Sequence, residues 1–286
     1  MPFITLDQAC LAYGHVALLD HTGFQLDEGE RVGLIGRNGG GKSSMMRVLA
    51  GQVTLDDGVV WRAPAARICY VSQEPQLNAD DTVFDAVAQG LGELQQLLHD
   101  YHRVSQQMAA PGAEVEALLE EMQRLQTQLE AQNGWAVQSR IETAIARLDL
   151  DADKRVGELS GGQRKRVALA QMLIRDPKIL LMDEPFGPLD AQTRQIMGNL
   201  LLDLWAADKK ALIFVTHDLE EAIALSDRVV IMSSGPKARI IGDHRIDLPR
   251  PRNALDIRLD PRFHEIQQGI WAQLRAEVIK AYGDAA

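Results

Sequence analysis

The chain is short of several things, and each shortage narrows what it can be. It holds two cysteines in 286 residues, Cys10 and Cys69. That excludes a disulfide framework and fits a reducing compartment. Both lie in strand-like apolar runs and read as buried thiols. No apolar run approaches the ~20 residues that cross a bilayer, so no direct membrane insertion is expected. Any spans at a membrane would come from other subunits. The opening "MPFITLDQ" lacks a basic segment followed by an apolar one, so no secretory leader is expected. Positive charge is in deficit: 30 Lys and Arg face 40 Asp and Glu, a formal net charge of −10. A general polyanion binder needs the opposite sign, although a local basic patch stays open. Long internal repeats are also missing. What remains is a cytoplasmic globular protein, 46% hydrophobic, with length for one large or two modest domains.

Against these absences stands one stretch rich in glycine, "GLIGRNGGGKSS" (Gly33–Ser44). An apolar strand, Val32 to Ile35, runs into a flexible turn and then Lys-Ser. Gly36, Gly39 and Gly41 let the backbone curl so that its N–H groups point inward. A helix starting near Lys42 adds its positive end, and Gly51 is a fitting residue to follow its stop. Lys42 can reach the β and γ phosphates, and the Ser43 hydroxyl can ligand Mg²⁺. Asn38, Gly40 and Ser44 complete the candidate phosphate-contacting loop.

A second strand, "ILLMDE" (Ile179–Glu184), ends in two carboxylates. In an open parallel sheet ligands sit at that carboxyl end. Asp183 can hold the Mg²⁺ shell, and Glu184 can accept a proton from an attacking water. "LSGGQ" (Leu159–Gln163) opens a helix in which Ser160, Gly161, Gly162 and Gln163 form a further anion-binding N-terminus. One nucleotide needs one phosphate loop, so this second surface points to a nucleotide held by another copy of the chain.

The order of elements predicts an α/β chain. "KILLMDE", "ALIFVTH" and "RVVIM" are near-continuous apolar runs with helical patterns between them, as parallel strands covered on both faces require. The first seventy residues read as strands and turns around one helix. Between Glu74 and Glu158 the pattern is helical. Leu91, Leu94, Leu98, Tyr101 and Met108, then Val115, Leu118, Met122, Leu125 and Leu129, form two narrow seams flanking "AAPGA" (Ala109–Ala113). They predict an antiparallel coiled-coil hairpin over about 91–132. That arm carries seven acidic residues (Glu93, Asp100, Glu114, Glu116, Glu120, Glu121, Glu130) against Arg103 and Arg124. A helix from about Trp135 to Leu148 follows. The tail predicts a strand pair around "ARIIGDHRIDLP" and a final helix after Asp260, striped by Phe263, Ile266, Ile270, Leu274 and Val278.

Taken together, these motifs resemble the ATP-binding cassette (ABC) ATPases over nearly the whole chain. The resemblance implies a P-loop NTPase (RecA-like) core with an antiparallel β subdomain and an α-helical subdomain. The core and β subdomain would be 1–73 and 159–232, the helical part 74–158, and 233–286 would pack on the core. It implies ATP and Mg²⁺ as cofactors and ATP hydrolysis as the activity. Gln73 matches the family's glutamine loop, which touches Mg²⁺ and the γ-phosphate. His217 matches the switch histidine, Asp190 the loop crossing the dimer interface, and Tyr13 the aromatic stacked on adenine. The metal set would be Ser43, Gln73 and Asp183, and the catalytic set Glu184, His217, Gln73 and Lys42. The implied partner is a second copy in an ATP-dependent homodimer. Two positions depart from the family: Gly40 stands where a small side chain is usual, and Pro188 where alanine is common.

The two halves resemble different branches. Through about Met172, "ELSGGQRKRVALAQ" and the arm resemble the ABC-F branch, which acts on ribosomes or DNA processes. Beyond it, "EPFGPLDAQTR", "THDLEEAIALSDRVVIMSSGPKARII" and "IDLPRPR" resemble nitrate, sulfonate and taurine importer ATPases. The change falls between Gln171 and Lys178, which predicts an engineered chimera of two paralogous pieces, with a natural divergent protein as the alternative. Importer membrane subunits, a ribosome or DNA are the further partners this implies. The first of these would make the chain peripheral to the inner membrane.

Overall fold

The computed structural model describes residues 1–283 except 65, 74, 75, 90, 92, 109–114, 133, 188, 208 and 209. The "AAPGA" breaker, Glu114, Pro188 and the side chains of Glu93, Val115 and Val278 therefore lie outside the described residues. Along the chain come β1 (Pro2–Tyr13), β2 (Val16–Asp27), β3 (Arg31–Gly36), α1 (Lys42–Leu49), β4 (Asp57–Arg62) and β5 (Ile68–Val71). Five helices follow: α2 (Val83–Ala88), α3 (Glu93–Met108), α4 (Val115–Ala131), α5 (Gly134–Arg147) and α6 (Gly161–Ile174). The chain continues with β6 (Ile179–Asp183), α7 (Ala191–Ala207), β7 (Ala211–Val215), α8 (Leu219–Leu225), β8 (Arg228–Met232), β9 (Ile240–Arg245) and α9 (Pro261–Gly283). Two compact units result: Met1–Glu74 with Pro177–Ala286, and Pro75–Asp176.

The first unit holds both sheets. One is a three-stranded antiparallel sheet in the order β2-β1-β4. The other has six strands in the order β5-β6-β7-β3-β8-β9. Its first five strands are parallel, and β9 is an antiparallel edge on β8. The apolar runs explain the parallel part. Ile179, Leu180, Leu181 and Met182 of β6 are at most 2% exposed, and all of β7 is fully buried. Burying each such side chain contributes about 1.5–3 kcal/mol, which a strand gains on both faces only when helices cover it twice. Gly33 permits one of those covers: a Cβ there would sit 3.1 Å from Ala222 Cβ on α8.

Two expectations need correction. The tail forms one strand, not a pair, and β9 takes β8 as its partner. After Ile246 the buried Arg252 guanidinium collects the carbonyls of Ile223, Ser226, Ile246 and Leu248, so the segment bends around it and does not extend. Cys10 and Cys69 are half-buried and not fully enclosed.

In the second unit, Thr82 caps α2 through the Asp85 N–H, and Ser160 caps α6. α3 and α4 run antiparallel. Arg103 Nη2 reaches Glu121 Oε1 at 3.3 Å, while Leu94 early in α3 and Leu129 late in α4 both abut Gly134. Their seam is deeply buried at Leu98, Leu125 and Leu129, with Val104 added. Tyr101 turns edge-on to Trp135 of α5, 5.0 Å away, and not only toward α4. Among the described residues no helix is long and apolar enough to cross a membrane.

Candidate functional site

Strand register brings the site together. Val215 of β7 lies beside Leu34 of β3 on one side and Asp183 of β6 on the other. Val71 of β5 lies beside Met182. The phosphate loop, the acidic pair, Gln73 and His217 therefore all leave the sheet at one carboxyl edge, where ligands sit in such folds.

The loop is built by close backbone approaches. A Cβ on Gly36 would sit 2.6 Å from Met232 O. Gly41 caps α1 in the left-handed region at φ +79, and a Cβ there would meet Leu18 O at 3.2 Å. Gly40 donates to Arg37 O at 3.1 Å, and a Cβ on it would stand 3.0 Å from both Arg37 O and Ser233 O. The unusual glycine thus fits a spot with scant room for a side chain. Asn38 and Gly39 face solvent. Ser43 and Ser44 stand in the first turn of α1.

Lys42 is 5% exposed and donates to Gly36 O and Arg37 O at 2.8 Å each. Its ammonium spans the loop from within. Burial lowers its pKa, and the carboxylates of Glu184 and Asp183 oppose that shift.

Asp183 is 4% exposed. Its Oδ2 accepts from the Tyr70 hydroxyl at 3.1 Å, and its Oδ1 is buried with no partner among the described residues. Burial, with Asp183 alongside, pushes the Tyr70 phenol up to about 12, so it stays a donor. Tyr70 escaped the sequence reading. Its only signal was its place in β5, three residues before Gln73. The orphaned buried carboxylate oxygen of Asp183 and the Ser43 hydroxyl are hard-oxygen donors of the kind that suit Mg²⁺.

Glu184 stands in the left-handed region at φ +45, held by its N–H to Val215 O at 3.1 Å. Its Oε2 accepts from Gln73 Nε2 at 3.1 Å, and His217 Nδ1 lies 4.0 Å from the same oxygen. Gln73, Glu184 and His217 are thus brought together. A carboxylate so aimed can orient a water and take its proton.

The remaining candidates have local roles within the chain. Asp190 caps α7: its Oδ1 accepts from Thr193 N at 2.9 Å and its Oδ2 from Thr193 Oγ1 at 2.6 Å. These bonds hold its carboxyl below the usual range. Tyr13 ends β1, half exposed, paired with Val16 across the Gly14 turn. Ser160, Gly161, Gly162 and Gln163 lie in the second unit. Ser160 Oγ accepts from Gln163 N at 3.2 Å and Gln163 Oε1 accepts from Ser160 N at 3.0 Å, a closed capping box. Among the described residues nothing lies within 4 Å of a Cβ built on Gly161, so this helix N-terminus is open to them.

A glycine-rich loop closed by a buried lysine after β3, and an acidic pair at the end of β6 with β7 between them, define a P-loop nucleotide-binding domain. A family model described as "ABC transporter" matches residues 19–187. The chain is 34% identical over 267 residues to "Aliphatic sulfonates import ATP-binding protein SsuB 2" of Rhizobium johnstonii, covering 91% of this chain and 86% of that protein. It is 32% identical over 277 residues to "ATP-binding protein Uup" of Haemophilus influenzae, covering 95% of this chain. It spans 42% of the length of that relative. Its fold matches the crystal structure of a nucleotide-free ATP-binding cassette from an ABC transporter, with a TM-score of 0.64 and 22% identity, covering 93% of this chain and 98% of the other. The chain belongs to the ABC transporter family, as one of its nucleotide-binding ATPase domains.

Proposed function

We propose that this chain binds Mg-ATP and hydrolyses it, with two copies enclosing the nucleotides between them. The observation that carries the reading is the convergence on Glu184, where Gln73 and His217 address one oxygen, with Asp183 Oδ1 of the preceding residue buried and without a partner among the described residues. Tyr13 stacks on the base. The N–H groups of Gly36, Asn38, Gly39, Gly40, Gly41, Ser43 and Ser44 surround the phosphates, and Lys42 donates to them. Ser43, Gln73 and Asp183 hold Mg²⁺, which when bound offsets charge on the phosphate oxygens. Glu184 orients the water and takes its proton, and His217 donates to the γ-phosphate. Ser160, Gly161, Gly162 and Gln163 of the second copy supply the facing donors, with Asp190 at the contact. The open N-terminus of α6 supports this, since donors on both sides stabilise a loose phosphoryl transition state.

In this reading 1–73 and 159–232 form the nucleotide core with its β subdomain, 74–158 the helical part with its arm at about 91–132, and 233–286 complete the core; by compactness alone, α6 groups with the helical part, whose unit runs to Asp176. A joined origin is also proposed. The expected junction, Gln171 to Lys178, spans the boundary between the compact units at Asp176 and Pro177. A natural gene encoding the whole chain refutes that origin. A second reading, an importer motor subunit peripheral to the inner membrane, is favoured by the 86% coverage of an import ATP-binding protein. An ABC-F-like role on ribosomes or DNA is the third, and a cytoplasmic location suits all three.

The test is ATPase activity against protein concentration, with Glu184→Gln and Ser160→Arg beside the parent. Specific activity rises with concentration if two chains form the site. Concentration-independent activity in a monomeric sample, untouched by Ser160→Arg, refutes it. Pull-downs against importer membrane subunits, ribosomes and DNA separate the three settings.

A further inference from the structure

We propose that Cys10, Asp20 and His21 form a site for a borderline divalent cation of the zinc class, separate from the nucleotide site. The three donor atoms lie within 4.8 Å of one another. A tetrahedral shell with Zn–S and Zn–N bonds of ordinary length sets its ligands about 3.5 Å apart, so small side-chain adjustments close the site.

The strand pairing shows why they meet. Ala9 faces Thr22 and Leu11 faces Leu19, so the single residue Cys10 opposes two, Asp20 and His21. This is a β-bulge. In a regular strand Asp20 and His21 would point to opposite faces. His21 instead takes a left-handed backbone, φ 49, which breaks the alternation and turns its ring toward its neighbour. The ring Nδ1 then stands 2.9 Å from Asp20 Oδ1, and the His21 N–H approaches Cys10 Sγ at 3.5 Å.

The surroundings orient the donors. Arg239 donates to Asp20 Oδ2 through Nε at 3.1 Å and Nη2 at 2.5 Å, which leaves Oδ1 directed at the imidazole. Such outer contacts fix a ligand's orientation in metal sites. The mixed sulfur, nitrogen and oxygen set selects a borderline ion over Mg²⁺. Binding forms the Sγ–metal bond as the Cys10 thiol proton leaves to solvent. The ion replaces the Nδ1–H···Oδ1 hydrogen bond: the neutral His21 ring moves its proton through solvent from Nδ1 to Nε2, Nδ1 then offers its lone pair, and a water fills the fourth position. The bound ion would staple β1 to β2 three residues before Tyr13.

The test is a titration of the nucleotide-free chain with Co²⁺, read by thiolate-to-cobalt charge-transfer absorption, and with Zn²⁺ by calorimetry. The parent and Cys69→Ser should saturate at one equivalent with release of about one proton. Cys10→Ser should lose the absorption. His21→Ala, a change at a side chain 64% exposed, should keep the parent's far-UV circular dichroism and bind Zn²⁺ at least about tenfold more weakly. Zn²⁺ should raise the thermal midpoint of the parent and not of His21→Ala. An absent charge-transfer band in the parent, or a band that survives Cys10→Ser, overturns the proposal. So does unchanged Zn²⁺ affinity in His21→Ala.

Discussion

Gln73 Nε2 donates to Glu184 Oε2 at 3.1 Å, joining residues 111 positions apart. The strand order makes this possible, because β5 and β6 are neighbours in the sheet. Since His217 Nδ1 lies 4.0 Å from the same oxygen, one atom of Glu184 is addressed from two loops. Replacing Glu184 with Gln keeps the shape and removes the base. Phosphate release should slow at least ~100-fold, the lower end for a general base, while ATP binding persists. A Gln variant as fast as the parent in a stopped assay would remove Glu184 from the chemistry.

Lys42 spans the loop through Gly36 O and Arg37 O. Lys42→Ala takes away the one ammonium inside the cradle. ATP affinity should fall at least about a hundredfold, or ~3 kcal/mol, by calorimetric titration. Equal affinity in parent and variant would place the nucleotide elsewhere.

Gly36 leaves no room for a side chain, its Cβ position being 2.6 Å from Met232 O. Gly36→Ala should lower stability by about 1–3 kcal/mol in denaturant unfolding. Gly161→Ala, in open space at the first turn of a helix, is the control and should leave stability unchanged or slightly raised. Equal midpoints for both variants would mean that the loop relaxes freely.

Glu221 lines a cavity of about 100 Å³ with Asp218, Arg194 and Arg258. Burial and then the Asp218 charge push its carboxyl up from 4.5 to about 8, against Thr216, Arg194 and Arg258, which pull it down. The folded chain therefore holds a proton that the unfolded chain gives up near pH 4.5. This contribution is full below pH 4.5 and fades as pH rises toward 8. Glu221→Gln cannot ionise. Its stability relative to the parent should rise between pH 5 and pH 8 by about 1–3 kcal/mol, read from thermal midpoints. A pH-independent difference would show that Glu221 ionises normally.

Much of the candidate site's geometry was legible in the sequence because its pieces are local. Gly36 to Ser43 form one loop and helix start, proposed to act through successive backbone N–H groups, and Ser160 to Gln163 cap one helix turn, so spacing alone describes them. The five parallel strands were legible too, since burial on both faces writes an unbroken apolar run. The tail was misread because β9 alternates with its neighbours like a hairpin arm, and nothing local announces that Arg252 gathers four carbonyls beyond it.

By itself, the sequence determined the class of fold and pointed to the class of ligand proposed for it: a lysine-closed glycine loop, an acidic strand end and near-continuous apolar strands. Those are short-range patterns, each complete within a few residues. Only the tertiary structure decided which side chains meet at the candidate site. Tyr70 reaches Asp183 across 113 positions, and Gln73 reaches Glu184. Cys10 meets Asp20 and His21 through a bulge that reverses the expected facing. The physical reason is that strand order and register choose neighbours by burial of whole faces, and no single stretch of chain carries that choice.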